Sequence, residues 1–162
     1  MFCSCTAGRL LPRQIAIAGN SIGDGLALET LINIREEGLP LPACAMLISP
    51  WTDLTVYSYS IKTLAAVDPI VKKEALTEFS AMCLNGALAT ILLESPLYAS
   101  LHQLPSILIQ VGAAEILLDD TLRLQSKLEA ASNNVGVQVW KKMIRVWHLY
   151  ALILDKGVEA IV

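Results

Sequence analysis

Charge is scarce in this chain: Asp, Glu, Lys and Arg make up 17% of its 162 residues, and its 12 lysines and arginines never gather into a basic face. With a net charge of -3 and a pI near 5.3, a nucleic-acid partner is excluded, because phosphate recognition needs clustered cations. Long apolar runs are also missing. Mean hydropathy is +0.55, yet no run approaches the roughly 20 residues of a membrane-spanning helix, so no membrane span is expected. Met1-Phe2-Cys3-Ser4-Cys5 lacks the basic start and apolar middle of a secretory signal, which makes a cytoplasmic location the expectation. Cysteines number four and histidines two. Cys3 and Cys5 form C-x-C with no second pair and no nearby histidine, which is not a zinc-site pattern, and no metal or cofactor is expected. Cys44, inside the apolar run 43–48, reads as an ordinary core residue.

What is abundant is apolar side chains, 54% of the total, enough to bury the core of one domain and to exclude disorder. Periodic segments alternate in type: a strand at 15–18, a helix at 22–37, a strand at 43–48, a helical stretch at 68–93, then strand 106–111, helix 119–131, strand 135–141 and a helical tail at 146–162 interrupted near 155–157. This alternation predicts an α/β fold with a mostly parallel sheet of about four strands, helices on both faces and a helical insert at about 60–93. The continuous apolar run at 43–48 predicts a strand buried on both faces. Asp68-Pro69 reads as a helix start and Gly86 as a break in a cap over the site.

The residues that carry chemistry lie where the first strand meets the first helix. Gly19-Asn20-Ser21-Ile22-Gly23 is a G-x-S-x-G turn, which holds a serine on a strained bend with its hydroxyl exposed. Its glycines leave room for the turn, and the amide of Ile22 is placed to stabilise an oxyanion at a helix N-terminus. A serine nucleophile needs a base and an acid that orients it, in the chain order serine, acid, histidine for this turn. Glu115, just past the strand ending at Val111-Gly112, sits on the carboxyl edge of the sheet and is the best placed acid. Asp119 and Asp120 read as helix N-terminal charges, and His102 as a surface histidine. Trp51, Trp147 and Asp53 read as core packing and loop bracing.

Gly19 through Ala27, Leu39-Pro40-Leu41-Pro42, Ser49-Pro50-Trp51-Thr52-Asp53-Leu54-Thr55, Ser95-Pro96-Leu97-Tyr98 and Leu104 through Asp120 together resemble the hormone-sensitive lipase family of α/β-hydrolases. The matching blocks run in order from about Arg13 to Ile161. The resemblance implies a serine carboxylesterase or lipase with Ser21 as nucleophile and, through the motif V-G-x-x-E-x-L-x-D-D, Glu115 as acid. It also implies that this is the C-terminal half of such a hydrolase, an N-terminally truncated, partial domain over 1–162 without the family's H-G-G-G oxyanion loop. Its elbow reads Gly-Asn-Ser-Ile-Gly where the family has G-D-S-A-G. The family's V-W-P-G-M-x-H-V-W block falls on Val139 through Trp147, so Arg145 stands at the histidine position. A guanidinium has no acceptor lone pair and cannot take the serine proton. His148, one helical turn on, is the displaced candidate base. Two functions follow: a serine hydrolase of impaired activity on small esters, or a non-catalytic binder of a small carboxylate through Arg145, an inactive gene fragment included. With the earlier strands missing, the elbow strand becomes a sheet edge, which favours self-association.

Overall fold

The computed structural model describes residues 10–90 and 95–161. Cys3, Cys5 and the end of the expected helical insert lie outside the described residues. In chain order the elements are β1 (Ala16–Asn20), α1 (Ile22–Glu36), β2 (Cys44–Ile48), α2 (Tyr59–Thr63), α3 (Lys73–Leu84), β3 (Ser106–Gly112), α4 (Leu118–Ala130), β4 (Val135–Trp140) and α5 (Asp155–Ile161). The strands form one parallel sheet in the order β1-β2-β3-β4, with Ala18 beside Met46, Met46 beside Leu108 and Leu108 beside Gly136. The α/β class and the four parallel strands are those expected from the sequence, and β1 lies at an edge.

Register decides which face is dry. Ala45 and Leu47 on β2 and Ile107 and Ile109 on β3 point the same way and pack with Leu28 and Leu31 of α1 and Leu124 and Leu128 of α4. A second cluster joins Trp51, Leu54, Ile61 and Leu76 to Ile116 and Leu117, tying α2 and α3 to the start of α4. Among the described residues the opposite face of the sheet carries α5, where Ala160 O accepts from Gln110 Nε2 (3.0 Å), and the segment 147–150, through His148. Helices therefore lie on both faces but unequally. Ala16, Ala18, Cys44, Met46, Leu108 and Gly136 line an open groove of about 440 Å³. Cys44 is exposed there, not a core residue. The continuous apolar run at 43–48 reads as covered on both sides, while in the fold only alternate residues are.

Two helical expectations shift. The stretch at 68–93 is not one helix, because α3 starts at Lys73. Asp68 is fully buried and instead folds an Asx turn, its Oδ1 accepting the amides of Ile70 (2.8 Å) and Val71 (3.1 Å). Its Oδ2 accepts Ile116 N–H (3.0 Å), which pins the insert to the loop after β3. Local hydrogen bonding of an Asp competes with helix initiation in this way. In the tail, 155–157 begins α5 rather than interrupting a helix. Gly157 is there for space: a Cβ would lie 2.7 Å from Ala151 Cα.

Candidate active site

Ser21 occupies the turn between β1 and α1 with φ 56° and ψ -119°, a left-handed φ that costs a non-glycine residue and is retained where the surroundings enforce it. Enforcement is visible in its hydrogen bonds: Ser21 N–H donates to Ile48 O (3.0 Å), and Ser21 O accepts from Asp24 N–H and Trp51 N–H (both 3.1 Å). Gly19 is required by contact, since a Cβ would lie 2.5 Å from Gly23 O. Gly23 has open space around it, so only one of the two motif glycines makes room for the bend.

Ser21 opens on a cavity of about 380 Å³ with Asn20, Ile22, Trp51, Phe79, Cys83 and Arg145 among its walls. The hydroxyl-bearing residue is 7% exposed. The insert contributes an apolar wall through α3, and Trp51, besides packing in the second cluster, faces the cavity. Its indole is fixed by a bond from Nε1 to Asp53 O (3.0 Å). Asp53 itself braces the loop as expected, accepting from Thr55, Tyr98 and Arg123.

Glu115 is fully buried. Its Oε2 accepts from Ser49 Oγ (2.9 Å) and Gly112 N–H (2.8 Å), while Oε1 has no partner among the described residues. Burial pushes the carboxyl up to about 7, against the pull of the Gly112 and Ser49 hydrogen bonds and the Arg145 charge. Among the described residues Arg145 and Glu115 form no ion pair, and the hydrogen bonds to Glu115 come from Ser49 and Gly112. Ser49 also accepts Val146 N–H (3.1 Å), and Ala114 N–H donates to Met143 O (3.0 Å). These bonds hold the 143–146 loop against the end of β3, where a Cβ on Gly112 would lie 2.2 Å from Met143 O.

Arg145 therefore projects into the Ser21 cavity from a fixed loop. Its Nε is buried without a partner among the described residues. Burial lowers its pKa, opposed by the charges of Glu115, Asp68 and Asp24. Asp24, fully buried in the first turn of α1, accepts Ile48 N–H on both carboxyl oxygens (3.2 and 3.1 Å). Burial pushes it up to about 8.

His148 does not join this group. Gln110 Nε2 donates to Gln138 Oε1 (2.8 Å) and to Ala160 O, so Gln110 Oε1 is the acceptor and His148 Nε2 the donor at 2.7 Å. Nδ1 is buried without a partner among the described residues, and burial lowers the pKa of the ring. These contacts lie on the α5 side of the sheet, opposite Ile109, and His148 does not line the Ser21 cavity. His102 is exposed and bonds Ser100 (2.7 Å), as a surface histidine should. Asp119 and Asp120 lie in the first turn of α4, but Asp120 is buried rather than solvated. Ser49, Asp24 and the cavity-facing Trp51 are the site residues that the sequence reading missed. Only their places in tertiary structure identify them.

A strained serine between a parallel strand and a helix, with a buried carboxyl after a later strand of the same sheet, is the arrangement of an α/β-hydrolase. The chain belongs to the alpha/beta hydrolase fold family, whose model matches residues 4–149, and within it to the hormone-sensitive lipase branch. It is 37% identical to an acetyl-hydrolase of Streptomyces hygroscopicus over 93% of this chain and 50% of that protein. A solved esterase of the bacterial hormone-sensitive lipase family superposes with a TM-score of 0.91 at 41% identity, again over 93% and 50%. EstE5, in crystals soaked with p-nitrophenyl butyrate, gives 0.90 at 41% identity over 93% of this chain and 51% of that one. The chain thus spans about half the length of the relatives it matches.

Proposed function

We propose that this chain is an ester-hydrolase scaffold with Ser21 as nucleophile, Glu115 as acid and the Ile22 amide as an oxyanion donor, impaired in turnover because no histidine among the described residues lines the Ser21 cavity. The observation that supports this most directly is Arg145 on the wall of the Ser21 cavity. A guanidinium keeps its proton and has no lone pair, so it cannot deprotonate the hydroxyl. His148, the displaced candidate, would have to leave Gln110 to serve. In a triad the acid accepts the imidazole N–H, and the free Oε1 of Glu115 is an acceptor still lacking such a donor.

Reaction with an organophosphonate and with p-nitrophenyl butyrate tests the reading. Slow phosphonylation of Ser21 and ester turnover near background are expected, both abolished in Ser21→Ala. Arg145→His should raise turnover by about a hundredfold, the lower range for a positioned general base. Fast hydrolysis that persists in Ser21→Ala would remove the assignment. A second reading, a binder of small carboxylates, is favoured by the same cation, whose donors suit a carboxylate once turnover is lost. Butyrate binding abolished by Arg145→Ala and spared by Ser21→Ala is the outcome expected of it.

A further inference from the structure

We propose that the Ser21 cavity takes up a small carboxylate together with a proton: Arg145 receives the anion while the buried carboxyls of Asp24 and Glu115 behind it are neutral, and releases it when they ionise. This rests on the second reading, in which the chain binds carboxylates. Among the described residues Arg145 is the one charged side chain on the cavity wall and forms no ion pair, and its buried Nε is without a partner among them. The guanidinium therefore has donors to spare for a ligand. What competes for its charge is the set of carboxyls packed behind it.

Three parts of the fold bring those carboxyls together. Asp24 comes from the first turn of α1, Asp68 from the Asx turn of the insert and Glu115 from the loop after β3; all three are fully buried and their charges act on Arg145. The donors each one receives grade how well it can carry a negative charge. Asp68 receives three amides, from Ile70, Val71 and Ile116. Glu115 receives two donors on Oε2, while Oε1 has none among the described residues. Asp24 has the one Ile48 amide shared between both oxygens. A poorly solvated charge is costly in the interior, and burial accordingly keeps Asp24 protonated up to about 8 and Glu115 up to about 7. Below those values Arg145 has one competing carboxyl, Asp68, whose oxygens are already held by amides. Above them it has three, and an arriving anion meets like charge. The other charged and titratable groups near the path stand apart: the Cys83 thiol on the wall, Lys141 and Lys142, exposed ahead of the Arg145 loop, and His148, bonded to Gln110 on the α5 side.

The test is calorimetry of the full chain with butanoate between pH 6 and pH 9, where a simple carboxyl with an ordinary value of about 4.3 is ionised throughout. Affinity should fall about tenfold across that range, the equivalent of one unit of coupling between the anion and the carboxyls. Titrations in two buffers of different ionisation enthalpy should show net proton uptake on binding near pH 8 and little at pH 6. Butanamide, of similar shape and uncharged, should bind equally at both ends. Asp24→Asn keeps an oxygen for the Ile48 amide and should hold its affinity at pH 9 better than the parent, leaving a shallower fall near 7 from Glu115. If that variant does not fold, proton uptake by the parent decides. A pH-independent affinity, binding of butanoate without proton uptake, or a butanamide profile that follows that of butanoate overturns the proposal. Butanoate binding that is absent at every pH, or that survives Arg145→Ala, counts instead against the carboxylate reading and takes the proposal with it.

Discussion

At Gly19 and Gly23 one residue type meets two different demands. A methyl on Gly19 would enter the space of Gly23 O at 2.5 Å, backbone that cannot step aside without unbending the turn, whereas a methyl on Gly23 meets nothing within 4 Å. Gly19→Ala is therefore expected to lower the unfolding free energy by about 1–3 kcal/mol. Gly23→Ala, inside α1, should be neutral or stabilising by up to about 1 kcal/mol. Urea unfolding of the two variants checks both, and equal losses would show that the bend needs both glycines. The same contrast explains what a sequence can reveal at this scale. Ser21 is legible because its turn is made by five consecutive residues, and Glu115 because it follows a recognisable strand end. Arg145 is legible only through the family's residue pattern. Ser49, which holds both Glu115 and the Val146 amide, is 66 and 97 residues distant from them, and nothing local signals it.

At the scale of elements, strands and crossover helices are legible because apolar periodicity and glycine or proline punctuation mark them. The coverage of the sheet is not, because a run such as 43–48 gives no sign of whether a helix lies over each face. Parallel strands are normally covered on both sides. Among the described residues β1 is an edge with an open row of backbone groups, beside an uncovered strip holding Ala16, Ala18, Cys44 and Met46. An apolar edge of this kind pairs with further chains, and a second copy of this chain is the occupant we expect in the purified protein. Light scattering during sizing should show association that rises with concentration. Ala18→Lys, a charge on the exposed side of β1, should shift the chain toward monomer, and a parent that stays monomeric at high concentration would show the edge to be protected.

The whole molecule carries an unusual store of buried carboxyl groups, and their protons link stability to pH. Asp24 is pushed up from 3.8 to about 8, Glu115 from 4.5 to about 7 and Asp120 from 3.8 to about 7, in each case chiefly by burial. Between its ordinary value and its raised one, each group is protonated in the folded chain and ionised in the unfolded chain. The native state then binds more protons, so stability falls as pH rises through that window and levels off above it. Two groups act otherwise. His148, lowered from 6.5 by burial, favours folding as pH rises toward 6.5. Asp53, pulled below 3.8 by bonds from Thr55, Arg123 and Tyr98 that outweigh its burial, contributes stability that is lost only in stronger acid. Three carboxyls against one imidazole make the chain more stable at pH 5 than at pH 8, by at least about 1 kcal/mol. Urea midpoints at the two pH values measure the difference. Asp24→Asn removes the ionisation while leaving a side-chain oxygen for the Ile48 amide. It should raise stability at pH 8 relative to pH 5 and flatten the profile; a parent chain more stable at pH 8 would show that these carboxyls ionise freely inside the fold.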